Sequence, residues 1–182
     1  MKKFVLTLML TFAALGAWAQ RMSVSTNLLS YANLGTLNAE FSFAMSRRWT
    51  GIASVKYNPF SFGKEEKEFR FRQRSVFAGA EYWPWHVYSG WWFRLQAGCQ
   101  EYNQGGFFDR ATVEGYRFGL LAASGYSYMI SSHLNVAFGL AFWSGMDKFR
   151  RYSCQQCGLT TDSGNKFFLL PGDAIIAFSF VF

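Results

Sequence analysis

From about residue 21 onward, apolar side chains recur at every second position in eight separate segments. A period of two belongs to strands with two unlike faces and excludes a helical bundle, whose apolar residues recur every 3.6. The ending DAIIAFSFVF shows the pattern plainly: Ile176, Phe178, Phe180 and Phe182 share one side, Ala177 and Ser179 the other. A soluble β-protein buries such a face against a second layer, and the pattern here predicts instead a face that meets lipid.

The first segment runs from about Arg21 to Leu29, and the second, Thr36 to Ser46, sets Leu37, Ala39, Phe41, Phe43 and Met45 against Asn38, Glu40 and Ser42. The third is Trp49 to Asn58, with Lys56 on its polar side. The fourth, Phe71 to Trp83, carries Glu81 there, and the fifth, Gly90 to Tyr102, carries Arg94. The sixth, Tyr116 to Met129, opposes Phe118, Leu120 and Ala122 to Arg117, Gly119 and Gly125. Leu134 to Trp143 is the seventh, and the quoted ending is the eighth. Each approaches the roughly 9 to 11 residues with which a tilted strand crosses a bilayer. Hydrophobic residues make up 51% of the chain, yet its mean hydropathy is only +0.02, because apolar and polar positions interleave.

Connections after the second, fourth and sixth segments are short: Ser46 to Arg48, Pro84 to Ser89, and Ser131 to His133. Those after the third, fifth and seventh are longer: Pro59 to Arg70, Asn103 to Gly115, and Ser144 to Asp173. Ser30 to Gly35 is short for its side. Short turns at one end and long loops at the other predict an all-β fold, an eight-stranded antiparallel transmembrane β-barrel. The rival architecture, a lipocalin-like barrel with its apolar faces inward, fits less well, because the small residues Gly79, Gly98, Gly119 and Gly125 share the polar face and suit a narrow interior.

The opening MKKFVLTLMLTFAALGAWAQ has two lysines, an apolar core and the small-x-small triplet Ala17-Trp18-Ala19, the pattern of a secretory signal peptide. Residues 1–19 are therefore expected to be removed and residues 20–182 to form one barrel domain in the outer membrane of a Gram-negative bacterium. Terminal Phe178, Phe180 and Phe182 match the signal by which barrel assembly machinery recognises its clients. The net charge of +7 points to anionic lipopolysaccharide rather than nucleic acid as counter-charge, since a secreted chain rarely meets the latter.

On the polar face, Glu40, Lys56, Glu81, Arg94 and Arg117 must pair if they line a tight lumen. Hairpin register predicts Glu40 beside Lys56 and Glu81 beside Arg94. The expectation is a plug of ion pairs rather than a conducting path. Catalysis lacks a constellation: His86 and His133 both fall in short turns, no carboxylate clusters with them, and neither a metal nor a cofactor is expected. Cys154 and Cys157 form a single C-x-x-C in the long last loop, which supplies too few ligands for structural zinc and predicts a short disulfide in an oxidising envelope. Beside them Lys148, Phe149, Arg150, Arg151 and Tyr152 form a basic, aromatic cluster, a candidate external recognition loop.

The blocks TNLLSYANLGTLNAEF, EYW, NQGG, YRFGLLAASGYSY, LNVAFGLAF and YSCQQCG resemble, in order, those of the family called domain of unknown function 3575. Glu81 departs from its pattern, where a basic residue is usual, and so does Ala137, where an acidic one often follows Asn135. The resemblance implies an outer-membrane barrel of Gram-negative gut and oral bacteria and, from the company such families keep, a partner in fimbrial assembly or anchoring. The expected role is structural or interactive, through external loops, and not enzymatic. A narrow small-solute channel is the alternative, ahead of a lipid-modifying enzyme.

Overall fold

The computed structural model describes residues 22–62, 69–106, 111–154 and 158–182. The expected leader, residues 1–19, and Cys157 lie outside the described residues. The strands are β1 (Met22–Asn27), β2 (Leu37–Ala44), β3 (Trp49–Asn58), β4 (Ser61–Phe62), β5 (Phe69–Tyr82), β6 (Gly90–Gly105), β7 (Thr112–Met129), β8 (Leu134–Tyr152) and β9 (Thr160–Val181). A single turn of helix, α1 (Leu28–Ala32), follows β1. β4 pairs only with β5, and β3 also pairs with β5, so eight antiparallel strands form a ring that β9 closes against β1. The fold is the expected eight-stranded antiparallel barrel.

Closure requires the strands to stagger. A row of paired residues starting at Ser23 passes through Ser42, Ile52, Gly79, Gln96, Leu121 and Trp143 and reaches β9 at Leu170, although Ser23 itself is paired with Val181. Strand length climbs around the same circuit, from 6 residues in β1 to 22 in β9. The wall is therefore low at β1 to β3 and tall at β6 to β9, with a step where β9 meets β1.

Several strand ends differ from the sequence expectation: β5 starts at Phe69, β6 runs on to Gly105 and β7 starts at Thr112, the last two inside the expected loop Asn103 to Gly115. β1 stops at Asn27 instead of running to Leu29, because the Asn27 carboxamide accepts from the Leu29 N–H and caps α1. That carboxamide also accepts from Ile176 N–H and donates to the Ala174 carbonyl, so it ends the β1–β9 ladder in place of a further peptide unit. The larger difference is the stretch Ser144 to Asp173, expected as a loop. It is strand through most of its length, the upper halves of β8 and β9, paired from Ser144↔Leu169 to Tyr152↔Thr160.

The outward face is apolar and open, as Phe118 (57% exposed) and Leu140 (61%) show. On β6 the outward residues run Trp91, Phe93, Leu95, Ala97 and Cys99 before turning charged at Glu101. Trp49 with Tyr82 and Trp91 with Tyr126 group at the short-turn edge of this face. The buried core lies inside the ring: Phe77, Trp92, Leu121, Trp143, Phe168 and Ile175 pack with their neighbours there.

Candidate functional site

The turn between β5 and β6 folds back into the barrel. Its Val87 and Tyr88 are buried with Trp83, and Tyr88 takes a left-handed φ of 65° so that its ring can stand edge-on to Trp83, 5.9 Å between centroids. The Tyr88 carbonyl accepts from Asn135 Nδ2 at 2.7 Å and from the Ser127 hydroxyl at 3.2 Å, which ties the turn to β7 and β8. Arg47 and Arg48 carbonyls accept from Val87 and Trp83 N–H. Burial pushes the Tyr88 phenol above the ordinary tyrosine value, opposed by the hydrogen bond from Ser42. These contacts seal the short-turn end. Just above them Trp92 lies on Gly125 and Gly139, where a Cβ on either glycine would come within 2.6 Å of its ring.

Charged side chains then fill the lumen in tiers. Arg94 on β6 donates to Glu81 on the neighbouring strand at 2.9 and 3.1 Å, and its other edge reaches Glu40 on β2 at 2.6 and 3.0 Å. One guanidinium thus serves two carboxylates, and Thr50 donates to Glu81 as well. Higher up, Lys56 pairs with Asp173, not with Glu40. Near the open end, fully buried Asp147 accepts from the Tyr102 hydroxyl at 2.8 Å and from Arg117 at 3.3 Å, while the Arg117 guanidinium lies 4.0 Å over the Tyr102 ring. Phe77, Leu121 and Trp143 occupy the space between tiers, where voids are small, about 50 and 80 Å³, while toward the open end Tyr102, Arg117, Phe149 and Lys166 line one of about 390 Å³.

The tall wall is organised otherwise. Lys148, Phe149, Arg150, Arg151 and Tyr152 lie on strand β8, which corrects their assignment to a loop. They are paired on both sides, to β7 from Thr112 to Tyr116 and to β9 from Thr160 to Asn165. β9 itself is paired with β1 only from Ala177 to Val181. Among the described residues no strand covers that edge of β9 between Thr160 and Asp173, and its outward Phe167 and Leu169 are 69% and 67% exposed. Tyr152 donates to Glu114 across the wall at 2.6 Å, and that bond raises the phenol above its usual value.

A family model described as protein of unknown function, DUF3575, matches residues 4–182. The chain belongs to this family. No curated protein and no solved structure matches it.

In this DUF3575 protein the residues that sequence reasoning missed are Asp147 and Asp173, each the partner of a lumen cation, and the plug residue Tyr88. Both aspartates fall in the stretch expected as loop. Phe178, Phe180 and Phe182 project outward from the closing strand, with Phe180 stacked near His133 at 6.0 Å. His133 Nδ1 lies 3.0 Å from the Val181 carbonyl, and His86 Nδ1 lies 3.1 Å from that of Val87. Cys154 is disulfide-bonded and Cys99 is free on the outward face.

Proposed function

We propose that this DUF3575 protein is a barrel of the Gram-negative outer membrane that works as a non-catalytic interaction protein, in the assembly or anchoring of surface fibres. The outward apolar band supports membrane residence, with the sealed short-turn end toward the periplasm, the tall wall outside, and the leader removed on export. A filled lumen weighs against conduction, since a solute would have to displace Trp92, Arg94 and Tyr88 together.

The observation that carries the interaction role is the uncovered edge of β9 from Thr160 to Asp173. Unpaired N–H and C=O groups in a row accept an added strand, and alternate side chains such as Phe167 and Leu169 give such a partner apolar footing. The resemblance directs the choice of partner toward a fimbrial or other surface protein. A photoreactive residue in place of Phe167, with the same substitution at band residue Phe118 as control, tests this in living cells. One discrete protein adduct at position 167 and lipid alone at 118 is the expected result. Lipid adducts alone at both positions would overturn it.

A further inference from the structure

On the outward face of the tall wall, where the apolar band ends, the change to polar residues runs along the paired rows. Val55, Val76, Cys99, Phe118 and Met146 form one row across five strands. The next row outward is Tyr57, Arg74, Glu101, Tyr116 and Lys148, and the one beyond is Arg72, Asn103, Glu114 and Arg150. These two charged rows line a cavity of about 630 Å³.

Its charges do not cancel. Glu101 is taken up by Arg74 and by the Tyr116 hydroxyl, and Glu114 by Tyr152 and Asn103. Arg72 donates to Ser61, while Lys148 and Arg150 form no ion pair among the described residues. Four cations thus face two carboxylates already engaged. Directly below the cavity lies the apolar row, in which Val55, Val76 and Phe118 are exposed, and beneath it the smaller Ala53, Ala78 and Ala97.

We infer that this cleft is a binding site for a phosphorylated lipid of the surrounding leaflet, its phosphate held by Lys148, Arg150, Arg72 and Arg74, and an acyl chain lying on the apolar row beneath. This rests on the membrane reading proposed above. Guanidinium and ammonium groups suit phosphate oxygens, tyrosines such as Tyr57 and Tyr116 settle at the headgroup level, and only a ligand with both a polyanionic head and a tail would use the cleft and the apolar row at once. A free phosphate would leave the apolar row unused.

The test uses the full-length protein purified from membranes in detergent. Native mass spectrometry would compare a bisphosphorylated disaccharide lipid, its dephosphorylated counterpart and inorganic phosphate, on wild type and on the Lys148→Gln/Arg150→Gln double variant. Both substituted side chains project outward and carry no ion pair among the described residues, and retained β circular dichroism checks the fold. Binding of the phosphorylated lipid should weaken roughly thirty-fold in the variant. Neither other probe should match the phosphorylated lipid on wild type. Equal binding of the dephosphorylated lipid, equal binding by the variant, or phosphate alone binding as tightly would each overturn the assignment. Recovery of the native protein outside the membrane fraction would instead remove the parent reading, so the two failures are separable.

Discussion

The two rims of this barrel are made from the same antiparallel strands, yet one is closed by its own turn and the other rises as a wall with a bare edge. At the short-turn rim, the ladders meet all round the ring, and the inward turn at Tyr88 fills what remains of the lumen. At the tall rim, Asn27 halts the β1–β9 ladder, and from Asp173 to Thr160 β9 is paired on its β8 side only. The device that separates the regimes is one carboxamide. On the proposed function, stability resides mainly below it and recognition above it.

That division is most directly broken at Arg94. Arg94→Leu leaves Glu40 and Glu81 facing each other inside the lumen without a counter-charge, a loss of about 3–5 kcal/mol. Urea unfolding of the refolded barrel, followed by tryptophan fluorescence, measures it. Arg117→Leu on the tall side should cost clearly less, because Asp147 keeps the Tyr102 hydroxyl and Lys166 at 3.7 Å. Equal losses would erase the distinction between the two regimes.

The plug is the next test. Tyr88→Ala deletes the ring against Trp83 while keeping the carbonyl that Asn135 holds, so about 2–3 kcal/mol of packing should go. Planar-bilayer recording should still find no steady current, because Arg94 and Trp92 remain across the lumen. An open pore in Tyr88→Ala would show that the turn alone seals the barrel and would reinstate the channel.

The same boundary separates what could be read in the residues from what could not. Within the band one face of each strand is apolar and the other polar, so alternation marks the strands; Trp49–Asn58 is found at its full length. Above the band both faces are polar, and Asp147, Lys148, Arg150 and Arg151 carry no alternation, although hairpin pairing holds them as strand. Asp147 and Asp173 were hidden with that stretch. Hairpin register placed Glu81 against Arg94 but could not find Glu40 there, because β2 and β6 are joined only across a lumen narrow enough for their side chains to meet. A five-residue helix and a turn that folds inward leave no periodic trace at all.

The mildest change addresses the bare edge. Phe167 and Leu169 are exposed and touch no core residue, so Phe167→Ser/Leu169→Ser should alter unfolding by less than about 0.5 kcal/mol per site. Pro171, the irregularity beside it and Lys166 already guard this edge against indiscriminate pairing, without closing it between Thr160 and Leu169. If a surface protein adds a strand there, a crosslinker placed at Ser163 should capture it in wild type and lose it in the double variant, with the barrel's own unfolding unchanged. Capture that survives both substitutions would assign recognition to the backbone edge alone. Simultaneous loss of capture and stability would mean that the tall wall is part of the core, and the contrast between the two rims would fail.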